Sequence, residues 1–146
     1  MRFKELNLSI KLFLLFVAGI YAVVSYWLFW PYVPIVLEPI KIYNVNKEVY
    51  PRESLIYSLD MDKRMALPAV ITKQLVNDFI ITYSPIIGNM PVGKHNKQVK
   101  LKIPRSAEPG AYKLRWEGIY KVNPMRSVSV IAWSEPFNIM PKSSHD

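Results

Sequence analysis

Apolar and polar residues follow two different rhythms along this chain. From Leu12 to Trp30 nineteen residues pass without a charge, and only Tyr21, Ser25 and Tyr26 carry polar groups. At 1.5 Å per residue such a run reaches about 28 Å as a helix, against a bilayer hydrocarbon core of about 30 Å. It predicts a transmembrane helix over 12–30, with Leu12, Phe16, Ile20, Val24, Trp27 and Trp30 as anchoring side chains. Lys11 bounds the apolar run at one end. Pro31 and Pro34 end the helix at the other, because proline lacks the amide hydrogen and clashes with the preceding turn.

From Ile40 onward the apolar positions alternate, which is the pattern of half-buried strands. Ile40 and Ile42 form the first such pair. Leu55, Tyr57, Leu59 and Met61 share one strand face, with Ser58, Asp60 and Asp62 on the other, and Asp62–Lys63–Arg64 reads as a polar turn. Ala69–Val76 follows Pro68 as a strand, and Phe79, Ile81 and Tyr83 mark another. The region from Pro85 to Asn96, broken by Gly88, Pro91 and Gly93, reads as the longest irregular stretch. Val99, Leu101 and Ile103 give the cleanest alternation. Tyr112, Leu114 and Trp116 follow, then a loop through Gly118, Asn123 and Pro124, then Val128, Val130 and Ala132. Phe137 and Ile139 have the opposite parity to Val128 and Val130, which predicts a bulge between Ser134 and Pro136. About seven short strands and no amphipathic helix predict an all-β, two-sheet antiparallel sandwich.

The expected organisation is a cytoplasmic N-terminus (1–11), the membrane helix (12–30), a proline-rich semi-rigid connector (31–39), one β domain (40–140) and a flexible tail (141–146). About 110 residues beyond the helix suffice for one core. Arg2, Lys4 and Lys11 precede the apolar run and no basic residue follows it until Lys41. The positive-inside rule therefore predicts an N-terminus in the cytoplasm and a domain on the periplasmic or extracellular side. A cleaved signal peptide would need a shorter apolar core and a small-x-small site, whereas bulky Tyr26, Trp27, Phe29, Trp30 and Tyr32 suit an interfacial aromatic belt.

The segment Ile103-Pro104-Arg105-Ser106-Ala107-Glu108-Pro109-Gly110-Ala111-Tyr112-Lys113-Leu114-Arg115-Trp116 resembles the corner between strands E and F of immunoglobulin-like and fibronectin type III-like domains. The closing Ser134-Glu135-Pro136-Phe137-Asn138-Ile139 is similar to their last strand. The resemblance implies an immunoglobulin-like antiparallel β-sandwich, in which the Tyr112 hydroxyl bonds back to the corner backbone as a folding device. In general form, a single-pass protein carrying such a domain also resembles membrane proteins encoded by bacteriophages.

Composition narrows the chemistry. Cysteine is absent, so there is no disulfide, thiol nucleophile or cysteine-based zinc site. Net charge is +8; setting aside Arg2, Lys4, Lys11 and Glu5 from the 19 basic and 11 acidic residues leaves 16 and 10 for the domain. That excess favours anionic surfaces, and its dispersal carries no nucleic-acid motif. His95 and His145 lack the neighbours that catalysis requires, so no enzyme and no cofactor is expected. Asp60 and Asp62 could hold a divalent cation, or be solvated carboxylates answered by Lys63 and Arg64. Lys94, Lys97, Lys100, Lys102 and Arg105, with Lys113 and Arg115 on the next strand, form the densest basic group, either a solvated face or a contact for phospholipid or an acidic partner. Ile86, Ile87, Met90 and Val92 are apolar residues in the expected loop, either a contact surface or a satellite of the core.

The expected function is a non-enzymatic, membrane-anchored interaction module, with the lipid bilayer and another protein as partners and no nucleic acid. The alternative is a structural subunit of a membrane or phage-related envelope assembly, for which Ala18, Gly19 and Ala22 offer small residues for helix packing.

Overall fold

A computed structural model of the protein describes residues 7–141. His145 and the basic residues Arg2 and Lys4 lie outside the described residues. The chain has one N-terminal apolar helix, α1 (Leu8–Phe29), followed by a mostly-β domain of two sheets. None of the 22 helical residues is buried by the rest of the protein, and at about 33 Å the helix is long enough to span a bilayer. It begins upstream of Lys11 because lysine is a good helix former and ends only the apolar run. Trp30 closes it, its N–H donating to the Tyr26 carbonyl at 3.0 Å from an extended backbone.

The strands are β1 (Ile35–Leu37), β2 (Lys41–Ile42), β3 (Glu48–Val49), β4 (Ser54–Lys63), β5 (Ala69–Val76), β6 (Ile80–Thr82), β7 (Ile86–Gly88), β8 (Gly93–Lys102), β9 (Gly110–Asn123), β10 (Arg126–Trp133) and β11 (Phe137–Ile139). In the first sheet β4 is central. It pairs along its whole length with β8, from Ser54 opposite Lys102 to Lys63 opposite Gly93, and carries β1 and β2 end to end on its other edge. In the second sheet β9 is central, with β5 on one side and β10 and β11 end to end on the other; β6 and β7 flank β5, and β3 joins β11 in parallel. Leu55, Tyr57 and Leu59 from the first sheet and Leu75, Leu114 and Trp116 from the second belong to one buried core.

Four local expectations change. Ile35–Leu37, expected in the connector, is an edge strand; Ile35 is buried while Val36 is exposed, and the prolines at 34 and 39 fall outside the paired residues. Lys63, expected in a polar turn, continues β4 between Ile35 and Gly93, on the inward parity of Leu59 and Met61. The irregular stretch over 85–96 contains β7 and the start of β8. Gly93 there has φ 130°, a conformation open to glycine at little cost. Gly118, expected in a loop, lies in the middle of β9 because the rings of Trp116 and Tyr120 fold over it; a Cβ there would stand 2.7 Å from the Trp116 ring.

The parity switch near the C-terminus has a simple register. Trp133 faces Arg115 and Phe137 faces Tyr112, so four steps on one strand answer three on the other. The extra residue is a bulge, held by the Ser134 hydroxyl, which accepts from the Leu114 N–H at 2.9 Å and donates to the Glu135 carbonyl at 2.6 Å. At the corner before β9, the buried Tyr112 hydroxyl donates to the Glu108 carbonyl at 3.0 Å.

Burial pushes the Tyr57 hydroxyl up to about 12, with the neighbouring Tyr83 adding to the rise; burial also pushes Tyr83 up to about 12. Both are therefore neutral in the fold at pH values where the unfolded chain ionises, since the ordinary tyrosine value is near 10. A raised phenol makes the folded state hold the proton longer. Its contribution is complete below about pH 10 and is lost as pH climbs toward about 12. Chemical denaturation across that window should show stability falling by about 2–3 kcal/mol from Tyr57 alone, and Tyr57→Phe should flatten the slope. A slope unchanged by Tyr57→Phe would refute the assignment.

Candidate interaction surface

The helix meets the domain at one end of the sheets. In the β9–β10 turn the Asn123 carboxamide oxygen accepts from the Met125 N–H at 2.9 Å, which orients its Nδ2 to donate to the Trp27 carbonyl at 2.8 Å. Arg126 donates to the Leu28 and Trp30 carbonyls at 2.8 and 2.9 Å. The guanidinium stands 5.9 Å from the Tyr32 ring centroid. These carbonyls are among the orphan acceptors that every helix C-terminus leaves, and a cation there also matches the helix dipole. A second tie joins the β4–β5 turn to the chain leaving the helix: the Pro34 carbonyl accepts from the Arg64 and Met65 amides at 2.9 and 3.2 Å. The partners in this junction lie about a hundred residues apart, and its one local cue is an Asn-Pro turn followed by arginine.

The β7–β8 loop belongs to the same end, since Gly93 pairs with Lys63. His95 takes a structural part in it, its ring nitrogen lying 2.9 Å from the Pro91 carbonyl. The four apolar residues singled out around this loop separate. Ile86, itself half exposed, and Met90 line both parts of a cleft between the sheets; Ile87, 81% exposed, borders only one part, and Val92 is 55% exposed and borders neither. Ile87 pairs with Val70, and Val70 with Ile119, so three exposed apolar side chains form one row across the outer face of the second sheet.

The lysine group also separates. Lys94, Lys100 and Lys102 alternate with the inward Val99 and Leu101 and project from the outer face of the first sheet. Lys97 has the opposite parity and borders the cleft. Lys113 and Arg115 stand on β9 in the other sheet; Arg115 is engaged by Gln74 at 2.6 Å and Glu117 at 2.9 Å. Asp60 and Asp62 lie on the outer face of β4. Asp60 accepts from Asn96 and from Lys41, the latter at 3.2 Å, and these bonds hold its carboxyl below the usual range. Asp62 pairs with Arg64 at 3.5 Å. Among the described residues no group of three or more His, Asp or Glu side chains is placed to hold a metal ion.

The cleft has two connected parts of about 190 and 90 Å³ that share Met61, Ile71, Ile86, Met90, Lys97 and Trp116. Lys63 lines the larger part and Lys73 the smaller. Lys63 is only 3% exposed, and burial lowers its ammonium below the usual lysine range. Burial and the nearby Lys97 charge lower Lys73 as well. No carboxylate lines either part.

No protein-family model matches the chain, and no curated protein sequence matches it. Among solved structures, an alkylpurine DNA glycosylase of Pseudomonas fluorescens bound to DNA containing an abasic-site analog is similar over 70% of this chain and 31% of its own, with 8% identity and a TM-score of 0.41. A mutant β-glucosidase of Listeria innocua in complex with laminaribiose is similar over 70% of this chain and 16% of its own, with 13% identity and a TM-score of 0.37. The chain thus spans less than a third of either protein, and at these scores neither bears on its function.

Proposed function

We propose that the protein is a non-enzymatic, membrane-anchored binding module: α1 crosses the bilayer with its N-terminus in the cytoplasm, and an immunoglobulin-like sandwich stands on the periplasmic or extracellular face. The observation that carries this reading is the junction. Asn123 and Arg126 grip the last carbonyls of an otherwise unburied apolar helix, which supports a domain held by one end close to the point where such a helix would leave a bilayer. The strand order supports the immunoglobulin-like assignment. With β1 and β2 counted as one strand, as with β6 and β7 and with β10 and β11, the sheets read A–B–E and C′–C–F–G, and Tyr112 opens the F position with its corner bond. A tether of this kind restricts the partner search to the membrane plane and lets weak contacts suffice. The surfaces offered are the row Ile87–Val70–Ile119 and the outward lysines Lys94, Lys100 and Lys102.

Photo-crosslinking side chains placed at Ile87 and at Lys100 in native membranes should each be tested for a discrete protein adduct. An adduct at one position and not the other supports the module and maps its face. A stoichiometric complex that survives purification without light supports the structural-subunit alternative, and the absence of any protein adduct at both positions contradicts the interaction reading.

A further inference from the structure

We infer that the cleft between the two sheets is a binding site for one anionic amphiphile, with its carboxylate or phosphate held by Lys63 and Lys97 and its apolar part lying against Met61, Ile71, Ile86, Met90 and Trp116. An ammonium taken out of water is costly unless an anion answers it. Lys63 is 3% exposed as a whole residue while its ammonium keeps an opening to water, and none of the hydrogen bonds or ion pairs among the described residues involves its side chain. The strand parity that turns Leu59 and Met61 inward turns Lys63 inward too, where its side chain lines the larger cavity. The site is built, not incidental. Lys97 comes to the same cavity from the neighbouring strand, Lys73 stands at the smaller one, and every other group at the shared wall is apolar.

Three lysines line one largely apolar cleft with no acid among them, and the Lys97 charge disfavours that of Lys73, so the cleft as a whole favours an anion. A neutral apolar ligand would fill the walls and leave the lysines unanswered. A small inorganic anion would answer the lysines and leave the walls wet. A molecule with both parts satisfies both. Two sources supply such chemistry, a free fatty acid or an anionic phospholipid. The position of the cleft at the helix end of the domain makes the second accessible if α1 spans a bilayer; that route rests on the membrane-anchored reading, whereas the site itself does not.

The test uses the full chain in a neutral detergent, with native mass spectrometry counting bound ligand. The probes are decanoate and dioleoyl phosphatidylglycerol, each beside its uncharged or zwitterionic counterpart, decanol and dioleoyl phosphatidylcholine. One decanoate or one phosphatidylglycerol should bind in preference to its counterpart. Lys63→Met and Lys97→Met should each weaken that binding about tenfold or more, as expected for loss of a charge-assisted hydrogen bond. Lys97 is exposed, so its substitution leaves the fold intact and keeps the test valid should Lys63→Met unfold the protein. Binding of phosphatidylglycerol identifies a lipid source, and binding of decanoate alone identifies a free amphiphile. Decanoate binding holds even if α1 proves not to cross a membrane. Equal binding of charged and uncharged probes, or binding unchanged in both variants, overturns the proposal.

Discussion

Replacing Ile20 and Val24 together with arginine is expected to release the protein from the membrane fraction. The two positions lie one turn apart on α1, within a stretch that carries no charge from Leu12 onward. Each arginine near the middle of a spanning helix costs about 2.5–3.5 kcal/mol on the insertion scale, so the pair costs about 5–7 kcal/mol. No packing can compensate for this, because none of the helix is buried against the domain. The measurement is alkaline extraction of membranes followed by immunoblotting. The unsubstituted chain should stay in the pellet and the double variant should move to the supernatant. A double variant that remains in the pellet would mean that the domain, and not the helix, holds the protein to the membrane.

The second large effect is in the core. Phe137 is 1% exposed and its ring stacks on Tyr112 with centroids 6.4 Å apart. It follows the bulge, so its inward orientation depends on the one extra residue between Trp133 and Phe137. Phe137→Ala removes a large buried ring beside the corner bond from Tyr112 to Glu108. Truncations of this kind cost about 3–5 kcal/mol, a large share of the stability of an ordinary domain. Denaturant unfolding in detergent, followed through the near-ultraviolet aromatic signal, should show that loss. A change below about 1 kcal/mol would mean that the closing strand contributes little to the fold.

These residues also show what could be read in advance. The alternation in β4, β8 and β9 is written in adjacent letters, and the parity change between Val130 and Phe137 marks the bulge in the sequence itself. Tyr112 was recognisable for the same reason: its signal is local, a Pro-Gly turn followed by a tyrosine. The missed features depend on distant partners. Lys63 beside Asp62 and Arg64 reads as a turn, and only the pairing of its backbone with Ile35 and Gly93 turns it inward. Gly118 reads as a breaker until the rings of Trp116 and Tyr120 are seen to cover it. Ile35–Leu37 looks like a spacer between prolines until β4 offers it an edge. The junction of Asn123 and Arg126 with α1 joins opposite ends of the chain, and the cleft requires both sheets to exist.

Because the native chain has no cysteine, its orientation can be read without background. Single cysteines at Lys47, on the exposed surface of the domain, and at Lys4, ahead of the helix, would be treated in intact cells with a membrane-impermeant maleimide, before and after permeabilisation. A helix that crosses the bilayer with its domain outside predicts labelling at Lys47→Cys from the start and at Lys4→Cys only after permeabilisation. The reverse order, or protection of both positions until the membrane is opened, would contradict the account.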